Sequence, residues 1–329
     1  MKLLFVGGTG IISSACSQLA AERGHELYLL NRGQSSRAVP EKAHVLHGDI
    51  RDADSARQAL GDHEFDAVVN WVAFTPGHVQ SDIELFTNRT RQYVFISSAS
   101  AYQKPVGHLP ITESTPLHNP FWEYSRQKIA CEEVLIRAYR EDAFPVTIVR
   151  PSHTYDQTLL PMDGGYTVVN RMRRGLPVIV HGDGTSLWVL THHRDFAVGF
   201  VGLLGRSAAI GDTFQITSDE WLTWNQIFAE VARAAGTEAR IVHVPSEVIA
   251  RHDPEWGAGL LGDKSHSVIF DNTKIRRFVP DYAPRIPFAR GAEEIMAWYD
   301  ADPARQVVDA KLDALMDRIV AEYGAAGQS

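Results

Sequence analysis

Residues 2–13 read KLLFVGGTGIIS. A short apolar run, KLLFVGG (2–8), meets glycines at once, and ISSACSQLAAERG (12–24) follows with helical periodicity and a glycine stop. A strand, a glycine turn and a helix in that order aim backbone N–H groups and the positive helix end at one point, where a pyrophosphate binds. Gly7 and Gly10 supply the tight turn and the close backbone approach, and Ile11 and Ile12 complete the stretch expected to touch the ligand. The pattern's third glycine position holds Ser13, small enough to be tolerated. A plain structural turn would also explain a lone glycine pattern. This one, however, follows the first strand of an alternating chain, where a dinucleotide fingerprint belongs.

The alternation continues outward from that stretch. HELYLLNRG (25–33), AHVLHGD (43–49), FDAVVNWVAF (65–74), RQYVFISSAS (91–100) and PVTIVRPS (145–152) read as strands. SARQALGD (55–62) and EYSRQKIACEEVLIRAYRE (123–141) read as helices. Near-continuous apolar strands separated by helices predict a parallel sheet covered on both faces, joined by right-handed crossovers. The fold class is therefore α/β, a doubly wound Rossmann sheet with a smaller, discontinuous C-terminal lobe. After residue 152 the alternation stops. A helix is expected around 166–174, a return to the sheet near 192–217 with FQITS (214–218) as a strand, and helices near 223–236 and 288–300. The expected division is 1–151 with about 192–218 for the dinucleotide, and 152–191 with 219–329 for the substrate. No internal repeat or low-complexity segment occurs.

The end of the second strand bears on which dinucleotide binds. An acidic residue there grips the adenosine ribose, whereas arginine accommodates a 2′-phosphate. The chain has Asn31 and Arg32, with Arg37 close behind, and no acid. The balance leans to NADP(H) over NAD(H), with Arg32 stacked on adenine or facing solvent as the other reading. Asp49 and Ile50, after the third strand, are expected adenine contacts.

In WEYSRQK (122–128), Tyr124 and Lys128 stand four apart, one above the other on a helix face. A phenol with an ordinary pKa near 10 is a poor base. A nearby ammonium and an oxidised nicotinamide both favour the phenolate, so Tyr124 could move a hydroxyl proton while hydride moves. FISSAS (95–100) offers Ser97, Ser98 and Ser100 as hydroxyl donors for the substrate oxygen.

With these motifs in hand, the chain resembles the extended short-chain dehydrogenases/reductases, in particular the NAD(P)-dependent epimerase/dehydratase group. The resemblance rests on GGTGIIS (7–13), HGDIRD (47–52), FISSASAY (95–102), YSRQK (124–128), TIVRPSHTYD (147–156), HGDGTSLWVLTHHRDFA (181–197) and FDNTKIRRFVPDY (270–282), in the expected order. It implies Tyr124 as base/acid, with Lys128 as its pKa-lowering partner and nicotinamide-ribose ligand. It also implies Ser98 as the triad hydroxyl, four before Tyr102. Val72, Ala73 and Phe74 stand where the family's strand end lines the cofactor. A homodimer formed through two long helices per partner, one carrying Tyr124, is implied as well.

Departures from the family pattern narrow the chemistry. Sugar 4,6-dehydratases of the group carry Asp-Glu after the triad threonine; here Ala99 and Ser100 stand there, and neither shuttles a proton for elimination. Nucleotide-sugar epimerases usually present an arginine to the pyrophosphate after GDG, whereas this chain has TSLW, with Trp188 near that position. Trp188 stacks on a sugar ring or base, or else is core. Arg150, Arg171 or Arg194 would be the substitute cation. His153, after the strand beside the cleft, is a candidate substrate contact, with Ser100 and Trp188; a backbone-bonded loop histidine is the other reading. Trp122 and Glu123 border the cleft or merely pack the helix start.

His192 and His193 are adjacent and point apart, and no HxH or HxxxH has a matching carboxylate, so no metal is expected. Composition sets the outer bounds: 329 residues, 44% hydrophobic, 22% charged and a net charge of −8. That acidity is a poor match to nucleic acid. Two cysteines, neither in a CxxC, exclude a disulfide framework. The apolar start is too short for a secretory signal, and no run reaches the ~18 residues of a membrane span, so a cytoplasmic protein is expected.

Three readings of function follow. The first is an epimerase of a sugar or nucleotide sugar working by transient hydride transfer. The second is an NADP(H)-dependent reductase or dehydrogenase of a sugar-like or other carbonyl substrate. The third is a non-catalytic RNA-binding relative, of a kind the family contains in chloroplasts, against which stand the intact Ser98, Tyr124 and Lys128.

Overall fold

The computed structural model describes residues 1–326. Its first half builds β1 (Lys2–Val6), α1 (Ile11–Glu22), β2 (Glu26–Asn31), β3 (His44–His47), α2 (Ala53–Leu60), β4 (Ala67–Asn70), α3 (Pro76–Phe86), β5 (Tyr93–Ile96), α4 (Glu123–Asp142) and β6 (Val146–Pro151). The second half adds β7 (His153–Tyr155), α5 (Tyr166–Arg173), β8 (Pro177–His181), β9 (Leu187–Trp188), β10 (Leu190–His192), α6 (His193–Leu203), β11 (Thr213–Ile216), β12 (Leu222–Thr223), α7 (Trp224–Ala234) and β13 (Arg240–Val244). Helices Ser246–His252, Pro254–Gly259, Thr273–Phe278, Phe288–Asp300 and Ala310–Ala326 complete it, with a π-helical turn at Leu260–Lys264.

Seven parallel strands form one sheet in the order β11-β6-β5-β4-β1-β2-β3. The order reverses at β1, so the strand ends open a crevice between β1 and β4, the switch point where ligands bind. Alternation along β1 shows how both faces are covered. Leu3 and Phe5 join a core built with residues of α1 and α6, while Leu4 and Val6 join another with residues of α2, α3 and α4. Side chains of a strand alternate between faces, so an unbroken apolar strand feeds two layers.

All seven strands read from the sequence are present. Helix α3 was not among the expected elements, because PGHV opens like a turn. Proline in fact occupies the first helical position, with Thr75 capping in extended backbone. The second half holds three small two-stranded sheets, β7 with β10, β9 with β12 and β8 with β13. Their residues, with α5, α7 and the late helices, share a third core that includes Trp188, Trp224 and Phe288. Ile275, Val279 and Tyr282 instead pack into the core beneath α1 and α6.

Candidate active site

The glycine turn is shaped by Gly7 and Gly8. Both have positive φ, +97° and +91°, a region side-chain-bearing residues rarely adopt. A Cβ on Gly8 would stand 2.7 Å from a Leu29 methyl, so Gly8 provides the close helix–strand approach. Gly10 has an ordinary φ of −83°, and its amide donates to the Ser13 hydroxyl at 2.7 Å. The serine in the third glycine position thus acts as a local cap, and the packing role falls one residue after Gly7.

Above the turn lie two cavities. One of about 470 Å³ is lined by Gly7, Gly10, Ile11, Ile12, Val72 and Phe74, and it reaches Ser98, Tyr124 and Lys128. The second, of about 370 Å³, is lined by Asn31, Arg32, Asp49, Ile50, Val72 and Phe74. The first has room for a nicotinamide ribose and pyrophosphate, the second for an adenosine. Gln34, Ser35 and Arg51 also line the adenosine-sized cavity; Arg51 belongs to HGDIRD (47–52) but has no role read from that stretch, and no pattern singles out Gln34 or Ser35. Arg32 is largely exposed and 4.0 Å from Asp49, a weak surface pair that leaves its guanidinium available.

Two expected cofactor neighbours lie elsewhere. The Ala73 side chain turns into the core, and only its carbonyl takes part, accepting from Lys128. Arg37 reaches away from the adenosine cavity to bond Asp156 and Thr158.

Helix α4 delivers Tyr124 and Lys128. Lys128 is buried, and its ammonium donates to the carbonyls of Ala73 at 2.7 Å and Ile96 at 2.8 Å. Loss of solvent holds its pKa down to about 8, partly offset by Cys131 and Glu132. For Tyr124, burial raises the phenol above its ordinary value, the Ser98 hydroxyl lowers it, and the Asp263 carboxylate raises it again. In the protein alone, then, burial sets the direction at Tyr124, and Lys128 does not bring the phenol down. A positive charge placed in the neighbouring cavity would add the missing pull.

A third cavity, about 380 Å³, opens on the other side of Tyr124. Ser98, Ser100, Tyr124, His153 and Trp188 all line it, so the expected catalytic and substrate residues share one space. Ser100 is bonded to Ser98 at 2.9 Å and to Ser125 at 2.8 Å, which fixes the hydroxyl row. Trp188 is both wall and core: it packs on Trp224 and donates its indole N–H to His153 Nδ1 at 3.1 Å. His153 Nδ1 is therefore an acceptor, its proton sits on Nε2, and burial with Lys264 nearby pushes the ring down to about 3. Trp122 borders the cavity, whereas Glu123 points outward to Arg126 and Gln127.

The substitute cations do not reach this space. Arg150 is held by both Glu132 oxygens, at 2.9 and 2.5 Å, and Arg171 by Asp313 and Asp317. Arg194 pairs with Glu294 at 2.6 Å beside a different, polar cavity. Asp263 and Lys264, from the π-helical turn, are the charged residues that line the Tyr124 cavity, and sequence periodicity carried no signal for them. Among the described residues, no group of three or more His, Cys, Asp or Glu could hold a metal ion, and no helix is long and apolar enough to cross a membrane.

A doubly wound sheet with a glycine turn at its switch point, and a Ser–Tyr–Lys group between two cavities, defines the dinucleotide-dependent short-chain oxidoreductase class. The NAD dependent epimerase/dehydratase family matches residues 3–85 and 83–217, and the chain belongs to that family. It is 24% identical over 331 residues to 2′-dehydrokanamycin reductase of Streptomyces kanamyceticus, covering 99% of this chain and 91% of that one. It is 26% identical over 257 residues to the chloroplast stem-loop binding protein of 41 kDa b of Arabidopsis thaliana, spanning 74% of this chain and 65% of that relative. Among solved structures, UDP-glucose 4-epimerase from Bifidobacterium longum, in complex with NAD+ and UDP, superposes with a TM-score of 0.75 at 16% identity, over 92% of this chain and 99% of that one.

Proposed function

We propose that this enzyme interconverts a secondary alcohol and a carbonyl on a sugar-like substrate, working as an NADP(H)-dependent reductase or dehydrogenase. The observation that carries this reading is the place of Tyr124, which lines both the glycine-turn cavity and the cavity lined by His153 and Trp188. A bound nicotinamide supplies or accepts the hydride. Tyr124 gives a proton to the substrate oxygen or takes it away, Ser98 donates a hydrogen bond to that oxygen, and Lys128 orders the strand ends around them. Gly7 and Gly10 let the backbone approach the pyrophosphate, and Arg32 with Arg51 would receive a 2′-phosphate.

Two observations favour net reduction over epimerisation. No arginine is among the residues lining the Tyr124 cavity, where a diphosphate sugar would need its fork. The reductase from S. kanamyceticus aligns over nearly the whole chain. Epimerisation, with a keto intermediate that turns in the site, is the second reading; likeness to a UDP-glucose 4-epimerase of the same fold favours it. The stem-loop binding relative suggests RNA as a ligand, but the intact Ser98, Tyr124 and Lys128 and a net charge of −8 weigh against it.

The domain division accompanies this proposal: 1–151 with about 192–218 would hold the dinucleotide, and 152–191 with 219–329 the substrate. A homodimer through α3 and α4, which pack side by side, is part of the same reading. The deciding experiment identifies the cofactor released from purified protein. An empty site that binds added NADPH, with turnover dependent on it, is expected. Tightly held oxidised cofactor, with turnover needing none added, would replace this reading with epimerisation.

A further inference from the structure

The cavity beyond Tyr124 owes its charged groups to a segment outside the Rossmann sheet. Leu260–Lys264 forms a π-helical turn, a rare geometry that concentrates at functional sites because it redirects side chains. The turn is fixed from three sides. Asn119, buried, donates to the Gly262 carbonyl at 2.7 Å and to the Ser100 carbonyl at 2.9 Å, tying the turn to the catalytic hydroxyl row. Gly262 sits so close to Trp122 that a Cβ there would stand 2.6 Å from the Trp122 Cβ. The Lys264 carbonyl accepts from His181, Ser186 and Trp224, at 3.0, 3.1 and 3.2 Å.

Behind the turn lies Lys104, which is fully buried and has no hydrogen-bond partner. Its single ionic neighbour among the described residues is Asp263, 3.3 Å away. A buried ammonium without hydrogen bonds is costly, and a structural role would be served better by an apolar side chain. Lys104 offsets the charge of Asp263 through one oxygen, and Asp263, which lines the cavity, keeps carboxylate lone pairs that Lys104 does not use. Lys264 is in turn balanced by Asp163 at 3.7 Å, so the cavity has little net charge.

We propose that Asp263, held in place by Lys104, is a specificity-determining residue that accepts a hydrogen bond from a hydroxyl or ammonium substituent of a sugar ring seated between Trp122 and Trp188. Lys104 is its positioning residue. This rests on the oxidoreductase reading above and names the part of the substrate that the site reads. Past Trp122 the space continues into a groove of about 770 Å³, where Asp163, Asp253, Glu255 and Asp309 face Lys264, Lys311 and Arg318. That lining gives a diphosphate no excess of positive charge, so the recognised unit is the hydroxylated or aminated ring.

The test titrates NADPH-loaded protein with methyl glucoside, methyl glucosaminide and UDP, for wild type, Asp263→Asn, Asp263→Ala and Lys104→Met. Wild type should bind at least one sugar probe more tightly than UDP. Asp263→Ala should weaken that probe about tenfold, the loss of one charge-assisted hydrogen bond. Asp263→Asn should spare the hydroxyl probe and weaken the ammonium probe, which separates the two donors. Lys104→Met should shift the ratio of sugar affinity to UDP affinity, which a merely structural role would leave in place. NADPH affinity should be unchanged in both Asp263 variants, so lost sugar binding cannot be mistaken for lost fold. UDP binding tighter than either sugar, no measurable sugar binding to wild type, or unchanged sugar binding in Asp263→Ala would each overturn the proposal. Failure of the oxidoreductase reading is a separate outcome: wild type would bind the sugars while Tyr124→Phe left turnover intact.

Discussion

The Lys128 ammonium lies 5.7 Å from the centre of the Tyr124 ring, one helical turn away, and it points at backbone carbonyls rather than at the phenol oxygen. Its first duty is to join the ends of β4 and β5 through Ala73 and Ile96. At Tyr124 it is burial of the phenol, and not Lys128, that sets the direction of the shift. The two residues should therefore fail differently when changed.

Tyr124→Phe removes the proposed proton donor and its hydrogen bond with Ser98 while keeping the ring. Turnover should fall by about 10²–10⁴-fold while NADPH affinity stays within a few-fold of wild type. Steady-state rates and a fluorescence titration of cofactor check both halves, and normal turnover would sink the proposed mechanism. Lys128→Met should lose turnover and about 1–3 kcal/mol of stability together, because two buried carbonyls lose their donor.

Gly8→Ala places a methyl against Leu29 in backbone at φ +91°. Strain and clash should lower stability by about 1–3 kcal/mol and weaken both NADH and NADPH. Gly10→Ala, where φ is ordinary, should cost less in thermal melting. Equal losses at the two positions would contradict the geometry described for the turn.

Arg32→Ala should raise the dissociation constant of NADPH about tenfold and leave that of NADH almost unchanged, the signature of a lost 2′-phosphate contact. An equal loss for both cofactors would mean that Arg32 stacks on adenine. Paired titrations at one ionic strength decide it, since a surface ion pair weakens with salt.

Acid should destabilise the protein from just below neutrality. Burial holds His153 at about 3 and His181 and His193 at about 4, whereas the unfolded chain titrates histidine near its ordinary value. A depressed folded pKa means that stability is fully present above about pH 6.5 and is lost as the pH falls toward 4, because the unfolded state takes up protons first. His181→Gln should shallow that slope by about 1 kcal/mol per pH unit in denaturant unfolding measured between pH 6 and 5. An unchanged slope would show that His181 is not held neutral.

Breaking the Arg150–Glu132 pair should be a stability effect without a catalytic one. Glu132→Gln leaves a buried guanidinium short of its counter-charge and should cost about 3–5 kcal/mol. Residual folded enzyme, assayed at low temperature, should keep its Michaelis constant. A raised constant would return Arg150 to the list of substrate cations.

Much of this protein was legible along the chain because its signals are local. A strand buried on both faces must be largely apolar, so β1, β2, β4 to β6 and β11 announce themselves, whereas β3 is an exposed edge strand; a turn needing positive φ must carry glycine, so Gly7 stands out. Tyr124 and Lys128 are visible for the same reason: helical geometry alone puts residues four apart on one face. Helix α3 was hidden by a proline whose meaning depends on whether a helix follows it. The spent arginines could not be read either. Arg150 and Arg171 look like free cations in sequence, and only packing shows that Glu132, Asp313 and Asp317 consume them. Asp263 and Lys264 lie more than 130 positions beyond Tyr124, in a turn whose π geometry has no sequence period. Their place beside Ser98, and the burial that raises Tyr124 where Lys128 was expected to lower it, arise from contacts between distant segments. Those contacts exist only once the chain has closed on itself.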